Sequence, residues 1–328
     1  MKYLLVDTAN TFFRARHSAH RQSTTWDRLG FAIHVTLMSV QKAWREQKAD
    51  HVVFCLEGRS WRKDFYEPYK KNRSVARQAL TEKEQEEDQL FWEAFDNLTK
   101  FIKDSSNCTT LQHESLEADD LIAGWIQNHN NDEHIIVSSD TDFYQLLSDN
   151  VKQYNGITDE LHGLNGIYSR GKPVIDKKTK QPKAIPNPEW LLFEKCMRGD
   201  STDNVFSAYP GVRTKGTRNK VGLQEAFEDR HNKGYNWNNL MLQRWLDHNE
   251  QEHRVLDDYM RNRILIDLTA QPDPVKNNIV NTINNAKVVK TNPQIGTKFL
   301  KFCGKYQLKK VSEQASGVAE FLSAPYPQ

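Results

Sequence analysis

Three short apolar runs in this chain each stop at or near an acid. Tyr3-Leu4-Leu5-Val6 runs into Asp7, His51-Val52-Val53-Phe54-Cys55-Leu56 into Glu57, and His134-Ile135-Ile136-Val137 leads to Asp140. Continuous apolar runs this short suit strands covered on both faces. Helix-compatible stretches at 27–48 and 116–128 lie between them, so the alternation predicts an α/β chain with a mainly parallel central sheet flanked by helices. Open sheets of this kind bind ligands outside the carboxyl ends of their strands. Acids at three strand ends are therefore expected to meet in one crevice.

A length of 328 residues allows one large α/β domain or two ordinary ones. With 38% hydrophobic and 27% charged residues the chain reads as globular rather than disordered. No apolar run approaches the roughly 18–20 residues of a membrane helix, and Met1 to Asp7 lacks the shape of a secretory signal. The expectation is an intracellular, cytoplasmic protein. Cys55, Cys108, Cys196 and Cys303 fall in no paired spacing and read as reduced thiols rather than zinc ligands or disulfides.

The net charge of +2 hides segregation. Basic stretches occupy 59–77, 170–183 and 213–220, while acids crowd 82–96. Local stripes of both signs suit a protein that holds cations in one place and polyanions beside it. Residues 166–188, with Gly171, Pro173, Pro182, Pro186 and Pro188 among lysines, read as a loop or hairpin. Beyond Pro188 helix is expected, with pieces near 190–197, 221–228 and 240–246.

Acids also cluster locally. Leu116-Glu117-Ala118-Asp119-Asp120 opens a helix whose apolar face continues through Leu121, Ile122, Trp125 and Ile126, with Ser115 as its expected N-cap. Asp140 and Asp142 follow an apolar strand, and Asp200 and Asp203 stand three apart, on one face if that turn is helical. Taken singly, these acids complement a helix dipole or make a turn. Taken together at sheet ends they would repel and raise one another's pKa unless cations neutralise them. Oxygen-only ligands select hard cations such as Mg²⁺ or Mn²⁺ over zinc. Two such ions about 4 Å apart stabilise the attacking and leaving oxygens of an in-line phosphodiester displacement.

The segment Ser60-Trp61-Arg62-Lys63-Asp64-Phe65-Tyr66-Glu67-Pro68-Tyr69-Lys70-Lys71-Asn72-Arg73 begins three residues after Glu57. Its cations can contact phosphates and its rings can stack on unpaired bases. The alternative is a solvated charged segment with rings tucked into the core. Arg213, Lys215, Arg218 and Lys220 follow Pro210-Gly211 and precede a helix-compatible run. Turn amides leading into a helix, with cations nearby, can hold a duplex phosphate; a flexible basic loop is the plainer alternative. The stretch 172–183 reads as a solvated loop.

The motifs LLVDTAN, FCLEGRSWRKDFYEPYKKNR, LEADD, SSDTDF and MRGDSTDNV, in this order, resemble the flap endonuclease/5′-nuclease superfamily. The likeness spans roughly residues 1–285 and is greatest to the phage ribonuclease H (5′→3′ exonuclease) branch of T-even-like phages. It implies one metal position served by Asp7, Glu57, Glu117, Asp119, Asp120, Asp140 and, through water, Asp142, with a second assisted by Asp200 and Asp203. It implies that Lys70 and Arg73 meet the scissile phosphate and that Tyr69 stacks on a displaced base. Arg62, Lys63, Tyr66 and Lys71 join the nucleic-acid grip within a helical arch from about 62 to 96. The region after Asp200 would hold a helix-hairpin-helix-type module, with Arg213, Lys215, Arg218 and Lys220 on duplex DNA.

The implied organisation is a 5′-nuclease α/β domain over residues 1–185, with an arch insertion near 60–100, and a helical duplex-binding domain over 186–328. The implied activity is Mg²⁺-dependent 5′→3′ exonuclease and flap endonuclease cleavage of branched DNA and RNA–DNA duplexes, including RNA-primer removal on the lagging strand. Two departures stand out. Glu57 occupies the place of a family aspartate and reaches one methylene further. AYPGVRTKGTRNKVG keeps Pro210-Gly211-Val212 but lacks the family's tight GIG turn. Rival readings are a PIN-type single-strand ribonuclease, which shares the acid-lined sheet, and a non-catalytic branched-DNA-binding protein. The stretch 314–322 is either a docking segment for a sliding clamp or single-strand-binding protein, or a terminal helix capping the core. No hydrophobic seam for symmetric assembly is evident, so a monomer is expected.

Overall fold

The apolar runs fold as adjacent parallel strands. The structure, a computed structural model, describes residues 1–18 and 24–327. Strands β1 (Lys2–Asp7), β2 (His51–Cys55), β3 (Thr109–Leu111), β4 (Glu133–Val137) and β5 (Val151–Asn155) run parallel. Strands β6 (Glu160–Gly163), β7 (Gly166–Ser169) and β8 (Lys172–Pro173) extend the same sheet antiparallel, in the order β3-β2-β1-β4-β5-β6-β7-β8. All of β2, and β1 beyond Lys2, is buried, which is why neither run alternates. The expected hairpin in 166–188 is present as β7 and β8.

The chain divides into two compact units, residues 1–60, 80–185 and 274–328 forming one and 61–79 with 186–273 the other. In the first, the Thr25–Gln47 helix starts at a reciprocal cap. Thr24 Oγ accepts from the Asp27 amide at 3.1 Å while the Asp27 carboxylate accepts from the Thr24 amide. It buries Leu29, Ile33, Leu37 and Val40 against Leu4, Val6 and Phe54 of the sheet in one core.

Here the linear division at 185 gives way. Helices Ile295–Lys305 and Ala315–Ser323 place Phe299, Val318, Phe321 and Leu322 in that same core, so the end of the chain returns to the α/β unit. The 314–322 stretch is thus a core-capping helix whose apolar face is taken. Part of the span expected as an arch is a core helix instead. The Glu82–Ser105 helix commits Phe91, Ala94, Phe95, Leu98 and Ile102 to the core, because its apolar residues recur at helical spacing from Phe91 onward. Residues 61–79, including helices Arg62–Phe65 and Lys71–Gln78, belong to the second unit.

That unit is mainly helical. Pro188–Arg198, Leu223–Glu228, Tyr235–Met241 and Val255–Ile266 surround Phe193, Met197, Leu223, Leu240 and Val255. Asn187 caps the first of these, its Oδ1 accepting from the Glu189 and Trp190 amides, with Pro188 set where no amide is required. The stretch 240–246 is not one helix. The chain leaves the helix after Met241 and enters a hairpin, β9 (Arg244–Leu246) against β10 (Glu252–Arg254), in which His253 stacks on Trp245 at 4.5 Å. Among the described residues no helix is long and apolar enough to cross a membrane.

Candidate metal and nucleic-acid site

Register decides which acids share an edge. Asp7 lies opposite Cys55, and Val6 opposite Val137, so β1 ends between β2 and β4. Glu57 lies two residues beyond the end of β2 and Asp140 three beyond that of β4, so both fall at the carboxyl edge where β1 delivers Asp7. The charges of Asp7 and Glu57 both act on the Cys55 thiol. Burial first, then those two carboxylates, push its pKa well above the ordinary thiol value.

Neutral donors aim these acids. Asp7 is buried, with one carboxylate oxygen accepting from the Asn10 amide at 3.2 Å and the other from the Ser138 hydroxyl at 2.9 Å. Ser138 Oγ in turn accepts from the Asp140 amide at 3.1 Å, and Asp140 accepts from the Asp142 amide at 3.0 Å. One serine thus links the ends of β1 and β4. On the other side, Gly58 lets the chain press against residues 113–116. A Cβ there would stand 2.0 Å from the His113 carbonyl oxygen, while the Gly58 and Arg59 amides donate to Leu116 and Glu114. That seam brings Glu57 to the head of the Ala118–Asn128 helix, whose Ala118 amide donates to it at 3.2 Å.

Glu117 is the N-cap of this helix; the expected Ser115 is instead held by His113. The buried Glu117 carboxylate accepts from Ser60 Oγ at 2.6 Å, and its amide donates to Asp120 at 3.2 Å. Glu117, Asp119 and Asp120 each bring a carboxylate oxygen within 4.8 Å of the others. Among the described residues these three form the one group of that kind. The donor set is oxygen alone and anionic, which fits a hard divalent cation and not a thiophilic one. Asp7, Glu57, Asp140 and Asp142 stand at the same sheet edge as its remaining expected ligands.

Asp200 and Asp203 lie in the second unit and are held differently. Burial works against the charge of Asp200, yet the Lys195 ammonium at 2.8 Å and the amides of Thr202 and Asp203 hold its carboxyl below the usual carboxylate range. Asp203 accepts from Tyr69 Oη at 2.9 Å and Arg73 Nη2 at 2.6 Å, with Lys70 Nζ at 3.6 Å. The two cations expected to meet phosphate are thus gathered on one carboxylate.

Several expected nucleic-acid contacts move inward. Tyr69 is 3% exposed, so its ring is packed rather than offered to a base. Arg62 is 1% exposed, its Nε donates to the Leu265 carbonyl at 2.8 Å and its guanidinium faces Trp61. Tyr66 is half-buried, whereas Lys63 and Lys71 are exposed, the latter paired with Glu67. Arg213, Lys215, Arg218 and Lys220 are all exposed. The turn they ride on is closed by its own groups. Glu225 accepts from the Gly216 and Gly222 amides at 3.0–3.1 Å, and the Leu223 and Gln224 amides donate to Arg213 and Thr214. The amides expected to cradle a phosphate are therefore engaged, which leaves the side chains.

Ser138, Ser60 and Asn10 were not singled out by the sequence. Ser138 sits inside the quoted SSDTDF motif, but a serine beside acids carries no sign of which carboxylate it will orient.

The family model for the 5′-3′ exonuclease N-terminal resolvase-like domain matches residues 2–177. Ribonuclease H of Enterobacteria phage T4 is 27% identical over 281 residues, 79% of each chain. DNA polymerase I of Rhizobium leguminosarum is 29% identical over 180 residues, 54% of this chain, which spans only 15% of that much longer protein. A solved bacteriophage T5 5′-exonuclease, described with bound divalent zinc ions, shares the fold at a TM-score of 0.60 and 19% identity, over 87% of this chain and 99% of the other. With more than half its length matched, the chain belongs to the 5′-3′ exonuclease family of nucleases, carrying that family's N-terminal resolvase-like domain.

Proposed function

We propose that this protein is a divalent-metal-dependent 5′→3′ exonuclease and flap endonuclease acting on branched DNA and RNA–DNA duplexes, with RNA-primer removal as its role in replication. The observation that carries it is the trio Glu117, Asp119 and Asp120, with oxygens within 4.8 Å of one another at a sheet edge that also carries Asp7. Glu57, Asp140 and Asp142 complete the set that would hold the first cation, and Asp200 and Asp203 would assist a second. When bound, Mg²⁺ supplies Lewis acidity toward water and the phosphoryl oxygens; Mn²⁺ is its natural substitute.

The protein's own groups do the rest. Ser138 and Ser60 fix the directions of Asp7 and Glu117, so the ligand set is ordered before substrate arrives. Lys70 and Arg73 offset charge that develops on the phosphate, and both must exchange Asp203 for it. Arg213, Lys215, Arg218 and Lys220 hold duplex phosphates through their side chains, a contact that weakens with salt and reads no sequence.

The test is a labelled 5′-flap duplex incubated with and without Mg²⁺. Cleavage that needs the ion and releases the flap from its 5′ side is expected. No cleavage under either condition would leave the non-catalytic DNA-binding reading, and preferential cutting of unstructured RNA would favour the PIN-type ribonuclease.

A further inference from the structure

The chain after Asp203 mounts an aromatic ring in solvent. Val205 exchanges both backbone hydrogen bonds with Asp200 and is buried, whereas Phe206 is 57% exposed. The Phe206 backbone is fixed from several sides. Gly199, at φ 77°, approaches so closely that an added Cβ would lie 2.7 Å from the Phe206 carbonyl carbon. The Phe206 carbonyl oxygen accepts from the fully buried Asn262 at 2.7 Å and from Arg261 at 3.3 Å. Beside the ring, Tyr66 stands edge to face at 6.4 Å and 83°, and the Arg261 guanidinium, which also pairs with Asp258, lies 5.1 Å from the centre of the Tyr66 ring.

An exposed ring on a fixed mount adds little to folding, but it lowers the ordering cost of whatever stacks on it. Cations stand close by. Phe206 follows Asp203 by three residues, a separation of at most about 11 Å along the chain, and Asp203 gathers Lys70 and Arg73. Rings for bases with cations for phosphates is the pairing that grips a single strand. The charges favour a nucleic acid over an apolar protein side chain as the occupant.

We infer that Phe206, flanked by Tyr66 and Arg261, is a stacking platform for an unpaired base of the substrate strand. The inference rests on the nuclease reading above and takes the place of the stacking expected of Tyr69.

Equilibrium binding in metal-free buffer tests it, with a 5′-flap duplex and the same flap made abasic in its unpaired nucleotides. Phe206→Ala should weaken binding of the base-bearing flap by roughly 5- to 100-fold, and Phe206→Leu, which keeps apolar bulk without a ring face, should do the same. Phe206→Trp should restore it. The abasic flap should bind wild type as weakly as the base-bearing flap binds the alanine variant, with no further loss when both changes are combined. Since the ring is exposed, all three variants should unfold at the wild-type temperature. Wild-type affinity in the alanine variant, or an equal loss on the abasic flap, would overturn the platform while leaving the nuclease reading intact; a wild type that binds neither flap would sink both.

Discussion

Hydroxyls and amides direct acids in both units, and in the second the Lys195 ammonium and the Arg73 guanidinium hold them as well. At the sheet edge, hydroxyls and amides donate to Asp7, Glu57, Glu117, Asp120 and Asp140. After Gly199, ammonium and guanidinium groups take Asp200 and Asp203. Neutral donors direct a carboxylate without cancelling its charge, whereas a lysine or arginine does both. The crowding of Glu117, Asp119 and Asp120 suits a cation brought from outside, and the cations already gathered on Asp203 suit exchange with a phosphate.

The largest expected effect breaks the chemistry of the first group. Asp7→Asn or Asp140→Asn should reduce flap cleavage by roughly a thousandfold or more, while binding of the uncleaved flap, measured by anisotropy, stays near wild type. Full cleavage in both variants would end the assignment. Next, Ser138→Ala should lower cleavage by roughly 10- to 100-fold, as the loss of a group that orients metal ligands does. Raising Mg²⁺ should recover part of the rate, which a change that merely loosened the core would not allow.

The comparison is sharpest in the stability that metal adds. Asp119→Asn removes one expected ligand and should shrink the stability gained on adding Mg²⁺. Asp203→Ala strips the acceptor from Tyr69 and Lys70 and should lower stability by about 1–3 kcal/mol with or without metal. Urea titrations in which both variants lost the same share of the Mg²⁺ effect would erase the distinction.

A smaller effect concerns pH. Burial lowers His51 and His134 to about 4 in the folded chain, against an ordinary 6.5. Between those values the unfolded chain binds protons that the folded one does not. Stability is therefore fully present above about pH 6.5 and declines as pH falls toward 4. His134→Phe, which preserves the stacking on Tyr3 at 5.9 Å, should flatten that decline in urea titrations from pH 7.5 to 5.

How much was legible follows from the reach of each interaction. Strand runs ending in Asp7 and Glu57 state their own period, and the LEADD cluster announces both a helix start and a carboxylate group within five residues. The burial of Tyr69 and Arg62 was not legible because a ring or guanidinium in a basic segment looks the same on the chain whether it faces solvent or packs on Asp203 and Leu265. The return of residues 274–328 to the first core, and the closure of the basic turn by Glu225, involve partners that no local pattern names.

Sequence alone determined the parallel sheet, the acids at its strand ends and the family, since each is written in short-range order: apolar period, helix-start chemistry and motif succession. Tertiary structure decided which carboxylates share an edge, which serine aims them, which cations Asp203 holds and which ring stays in water. Those outcomes depend on distances between residues far apart along the chain, and such distances are set only when strand register and core packing fix the backbone.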